Sequence, residues 1–111
     1  MSMTKLILRK DNLFLGNILR CSGKLPFEKT VDFMVSEYLC NGEQHYGLMT
    51  ISGYKAGRFY VIFPKDSTSE KACAINYDWL VENWDKWGYF DCPLEDVYFI
   101  EGLTPVIYDE S

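Results

Sequence analysis

The stretch TVDFMVSEYLCNGEQHYGLMTIS, Thr30 to Ser52, decides the fold. Its first half has two readings. Val31, Phe33 and Val35 alternate with Asp32, Met34 and Ser36, which is the period of a strand. Phe27, Val31, Met34, Val35 and Tyr38 would also line one face of a helix. The second half selects the strand. Asn41-Gly42 is a hairpin-type turn. Beyond it Leu48, Thr50 and Ser52 alternate with Gly47, Met49 and Ile51. Thr30 to Leu39 and Tyr46 to Ser52 therefore read as an antiparallel pair.

Downstream, Gly53-Tyr54-Lys55-Ala56-Gly57 is a second turn, its glycines free to take positive φ. Arg58 to Phe63, RFYVIF, is the clearest strand in the chain and is stopped by Pro64. Its near-continuous apolarity predicts a central strand covered on both faces. Lys65 to Ala74 reads as a polar loop. Asn76 to Trp87 is the main helix, with Asn76 as N-cap, Asp78 in the first turn and Gly88 at the end. Leu80, Trp84 and Trp87 form its apolar face, with Tyr77 and Val81 alongside. Asp91-Cys92-Pro93 breaks the chain before a last strand, Val97 to Ile100. Upstream, Leu6 to Arg9 and Phe14 to Cys21 read as strands separated by Asp11-Asn12, and Lys24 to Phe27 as a connector at Pro26. The plan is α+β: a mainly antiparallel sheet of five or six strands with one helix, 76–87, packed on it. With 111 residues, 48% of them hydrophobic, the chain has material for one core and reads as a single domain, 1–111.

Little here points to catalysis. His45 is the only histidine, in a Gly/Glu/Gln segment that reads as a solvated hairpin loop. A Cys–His pair would need a distant thiol and an orienting group brought to it by the fold. Cys21, Cys40, Cys73 and Cys92 form no C-x-x-C pair, so they read as free thiols behaving as small apolar residues rather than as metal ligands. There is no nucleophile elbow, P-loop or H-E-x-x-H. Glu95-Asp96 and Asp109-Glu110 are adjacent carboxylates, and adjacency supplies neither the cleft nor the raised pKa of a glycosidase pair. The expectation is a protein that is not an enzyme and holds no cofactor or metal. Leu6 to Leu8 is too short for a signal core and no run spans a bilayer, which predicts a cytoplasmic protein without membrane contact.

Charge and aromatic content say more. Residues 1–81 carry a balance of +2 and residues 82–111 one of −7, making the net −5. Such a chain is unsuited to phosphate backbones, so no direct nucleic-acid partner is expected. It would attract a basic protein. The eighteen aromatic residues exceed what so small a core takes, which leaves rings for a surface. Trp79, Glu82, Asp85, Tyr89, Asp91, Glu95 and Asp96 are the candidate partner-binding residues, a rim of rings and carboxylates. The simpler alternative packs all three tryptophans into the core and leaves the acids to solubility.

Four stretches carry a family resemblance: PFEKTVDFMV (Pro26 to Val35), YGLMTISGYKAG (Tyr46 to Gly57), VIFPK (Val61 to Lys65) and DWLVENWDKWGYFDCP (Asp78 to Pro93). From about Leu19 to Glu101 the chain resembles the immunity protein 45 family of bacterial polymorphic toxin systems. The resemblance implies a cytoplasmic, mainly β antitoxin of the contact-dependent growth inhibition type. It would bind one cognate toxin domain, often a nuclease, and occlude its active site. It implies no particular inhibitory residues. Two other functions stay open from the residues alone: a non-catalytic adaptor joined through a strand edge, and a small ligand-binding or enzymatic barrel.

Overall fold

Asn41 and Gly42 take φ values of 52° and 79° and close a two-residue loop between β4 (Thr30–Cys40) and β5 (Glu43–Thr50). Pairing runs from Cys40↔Glu43 to Phe33↔Thr50, so the hairpin's register follows from the turn. The computed structural model describes residues 3–22, 30–70, 73–89 and 91–102, and the expected connector at 24–27 lies outside them. On one face of the hairpin Phe33, Val35, Tyr46 and Leu48 are buried. Met34 and Met49, paired on the other face, are half-buried.

Around this pair stand β1 (Met3–Lys5), β3 (Ile18–Ser22), β6 (Phe59–Ile62) and β8 (Tyr98–Ile100). The order is β1-β8-β3-β4-β5-β6, antiparallel throughout. A second sheet pairs β2 (Leu13–Phe14) with β7 (Ala74–Ile75). Among the described residues the six-stranded sheet is open, with edges at β1 and β6.

Four sequence expectations are corrected. RFYVIF forms an edge strand, not a central one. Leu48 pairs with Val61 and the next residue, Met49, with Phe59, so the register shifts by one at Tyr60, a bulge that breaks the alternation. Phe59 packs edge-on to Tyr38 on the outer face, while Tyr60 meets Phe33 on the inner one, so an apolar run arises without double coverage. Leu6 to Arg9 is not a strand but one helical turn, α1 (Leu6–Arg9), ended by Lys10 at φ 59°. β1 has paired with all three residues of β8 by Lys5, so no ladder remains for the turn to join. Leu6 is instead fully buried and its N–H donates to the Val97 carbonyl at 2.9 Å. Phe14 to Cys21 is divided by a turn at Leu15-Gly16 into β2 and β3. Within the expected loop 65–74, Lys65–Ser67 form a 3-10 turn, and Ala74 enters β7.

The helix α2 (Tyr77–Trp87) starts where the sequence indicates. The Asn76 side chain accepts a hydrogen bond from the Trp79 N–H at 2.9 Å, satisfying one of the free amides of the first turn. Leu80 and Trp84 are buried against the sheet. The Trp84 indole N–H donates to the Cys92 carbonyl at 2.9 Å, tying the helix to the segment that follows it. Gly88 ends the helix at φ −83°, outside the left-handed region. Its need for glycine is steric: a Cβ there would fall inside the van der Waals envelope of the Trp84 ring. Gly88→Ala is therefore expected to lower stability by about 1–3 kcal/mol, because the buried ring has nowhere to move. A urea titration followed by far-UV circular dichroism reads this, and an unchanged midpoint would refute the steric account.

Candidate partner-binding surface

Asp78, Glu82 and Asp85 follow one another at four- and three-residue spacing, so they share one side of α2, and all three are exposed. Pro93, at φ −60° and ψ 151°, leads into the 3-10 turn Leu94–Asp96. Val97, just after it, is fully buried and anchors that turn, leaving Glu95 and Asp96 exposed. The turn packs against α2. Four of the sequence-predicted residues, Glu82, Asp85, Glu95 and Asp96, are thus exposed carboxylates on two elements in contact. Among the described residues, none of the four stands within ion-pair distance of a basic side chain.

The other three stand differently. Trp79 is half-buried, its ring centroid 5.5 Å from Phe63 and 6.3 Å from Trp87, where it helps seat the helix on the sheet. Tyr89 is buried, and its ring lies 5.3 Å from both Phe33 and Tyr60. Burial pushes its hydroxyl above the usual tyrosine range, and the charge of Asp91 adds to the shift. Asp91 is half-buried. Tyr89 and Asp91 together line a cleft of about 210 Å³ between the sheet and the chain leaving α2.

The far wall of that cleft comes from residues the sequence reading passed over as a turn. Tyr54 and Lys55 sit at the tip of the 53–57 loop, and Tyr60 enters from β6. The loop is braced from within: Gly57 N–H donates to the Thr50 carbonyl at 2.7 Å, Thr50 N–H to Arg58 at 2.8 Å, and Arg58 N–H to Lys55 at 3.2 Å. Gly53 and Gly57, at φ 71° and 94°, supply the conformations this bracing needs. The available signal was a large ring and a cation between two glycines, with Tyr54 now found 71% exposed.

His45 belongs to β5 rather than to a loop and is half-buried. Its Nδ1 lies 3.2 Å from the Phe63 carbonyl and its Nε2 3.7 Å from a Glu43 carboxylate oxygen. All four cysteines are free; Cys40 and Cys73 are exposed, Cys21 and Cys92 buried. The Cys21 thiol hydrogen-bonds Cys92, and the Ser22 N–H donates to the Cys92 sulfur at 3.4 Å; together they lower the Cys92 thiol to about 7, while Cys21 is pushed up. Among the described residues, no group of three or more His, Cys, Asp or Glu side chains is placed to hold a metal ion. No helix among them is long and apolar enough to cross a membrane.

Searches of curated proteins and of solved structures gave no significant match. A family model described as immunity protein 45 matches residues 6–99. The match begins earlier than the resemblance seen from residue 19, taking in α1 and β2, and it contains α2, the cleft and the four exposed acids. Spanning most of the chain, it shows that this protein belongs to the immunity protein 45 family.

Proposed function

We propose that this protein is an antitoxin that binds one cognate toxin domain in the cytoplasm of the producing cell and blocks its active site, the toxin being a basic nuclease. Family membership supports the antitoxin role. The observation that carries the choice of partner is the exposed carboxylate set Glu82, Asp85, Glu95 and Asp96 on α2 and the adjoining turn. A nuclease active site must present cations to phosphates, and an acidic protein surface competes for those same cations. Shape complementarity around them then excludes the substrate.

Co-expression with the product of the gene immediately upstream, as the candidate toxin, tests this reading. Cells are expected to survive only when both proteins are made, and a tag on this protein should recover a one-to-one complex. Killing that continues in its presence, together with no recovered partner, would overturn the proposal. The adaptor alternative rests on the open β6 edge, but the bulge at Tyr60 twists that edge away from regular strand addition.

A further inference from the structure

β4 outruns the strand beside it. Its pairing with β3 ends at Ile18↔Met34. Val35 makes the last bonds on that side, donating to the Asn17 carbonyl at 2.8 Å and accepting from the Gly16 N–H at 3.0 Å. On its other side β4 stays paired with β5 as far as Cys40↔Glu43. Backbone direction repeats every second residue, so the N–H and C=O groups of Glu37 and Leu39 point as those of Val35 do, away from β5. Among the described residues no group bonds to them. We infer that an extended, basic segment of the toxin adds to this edge as a strand, antiparallel to Ser36–Cys40. The inference rests on the antitoxin reading and deepens it by naming the element that binds and the form of the segment bound.

The edge is suited to strand addition. Ser36 to Cys40 offers roughly 17 Å at about 3.4 Å per residue, an ordinary strand length. Exposed edges are commonly blunted by proline, lysine, a bulge or shortness. This one contains neither proline nor lysine, and its ladder to β5 runs residue for residue. β1, by contrast, has three residues, and β6 carries the bulge. Leu39 is 67% exposed and Tyr38 38%. The Tyr38 ring already rests edge-on against Phe59, 5.6 Å between centroids, so part of the contact surface is formed in advance. In such a complex the main-chain bonds supply affinity and the alternate side chains supply specificity.

Charge selects the strand. Glu37 is the one charged side chain from Ser36 to Cys40. The Gln44 side-chain amide bonds its carboxylate, and this neutral partner leaves the negative charge in place. Directly opposed residues of an antiparallel pair share a face, so lysine or arginine opposite Glu37 is favoured and an acid there is disfavoured. Opposite Leu39 the matching residue is apolar. A second copy of this chain would approach with a net charge of −5 against −5, whereas a basic segment is attracted.

The test uses the product of the gene immediately upstream, the candidate toxin, made catalytically inactive. Amide hydrogen exchange is followed by NMR in this protein, free and in the complex. In the free protein Glu37 and Leu39 should exchange fast, and Ser36 and Tyr38, which face β5, slowly. In the complex the Glu37 and Leu39 amides should slow by at least about a hundredfold. Leu39→Pro removes an edge N–H and leaves the β5 ladder alone, and about a thirtyfold loss of affinity is expected as a toxin carbonyl goes unpaired. Leu39→Thr keeps the N–H and should lose about fivefold or less. The exchange measurement on the unmodified chain decides the matter even where Leu39→Pro does not fold. If the complex forms while both amides stay fast, strand addition is refuted and the antitoxin function stands. If both amides are slow in a free protein of dimeric mass, a second copy holds the edge and the inference falls. If no complex forms, both readings fall.

Discussion

Trp84→Ala is expected to lower stability by about 3–5 kcal/mol, the usual cost of removing a large buried ring. Three structural facts set the size of the effect. The side chain is 2% exposed and stands in the core with Leu80 and Tyr77. Its N–H satisfies the Cys92 carbonyl, and an unsatisfied buried carbonyl is itself costly. Its ring also fills the space that Gly88 leaves open. A domain of this size holds a total stability of about 5–15 kcal/mol, so the variant gives up a large share of it. At about 4 °C per kcal/mol the melting temperature should fall by roughly 12–20 °C. Far-UV circular dichroism during thermal and urea unfolding measures this. Trp84→Phe, which keeps a ring and loses only the donor, should recover about half of the loss. The Gly88→Ala penalty should vanish in the Trp84→Ala background, because the clash needs the ring; additive effects would show that the two residues are not in contact. A Trp84→Ala variant within 1 kcal/mol of the wild type would mean that the helix is not held to the sheet through this residue.

What could be read from the sequence was what neighbours in sequence decide. The Thr30–Ser52 hairpin was legible because a period of two and an Asn-Gly pair act within a few residues. The helix was legible because Asn76 caps it and Leu80 and Trp84 share its face. Strand order was not: RFYVIF has the composition of a central strand, and only the bulge and the partners of other segments reveal an edge. α1 was missed because a four-residue turn has no period of its own, and its helical state follows from how short β8 is. The acidic half of the candidate surface was visible as charge asymmetry, whereas the contact of the 94–96 turn with α2, which puts those carboxylates on neighbouring elements, was not. The cleft was invisible. Its walls come from β4, β5, the 53–57 loop, β6, Tyr89 and Asp91, and no spacing rule joins them.

Reversing Glu82, Asp85, Glu95 and Asp96 together to lysine is expected to slow association with the toxin by about a hundredfold or more at low ionic strength. Four acid-to-lysine changes shift the net charge from −5 to +3, turning attraction for a basic partner into repulsion. Electrostatic steering raises association rates by about 10–1,000-fold, so its reversal has that range to work in. The effect must fade with salt, since the Debye length shrinks from about 30 Å at 0.01 M to about 3 Å at 1 M. Stopped-flow association across that range should give a steep decline with salt for the wild type and a flat or rising line for the variant. Folding is a clean control: all four side chains are exposed, and surface changes of this kind move stability by about 0.5 kcal/mol or less each. Loss of these exposed acids should act on the association rate rather than on dissociation. An unchanged association rate in the quadruple variant, with the complex still formed, would move the binding face away from α2.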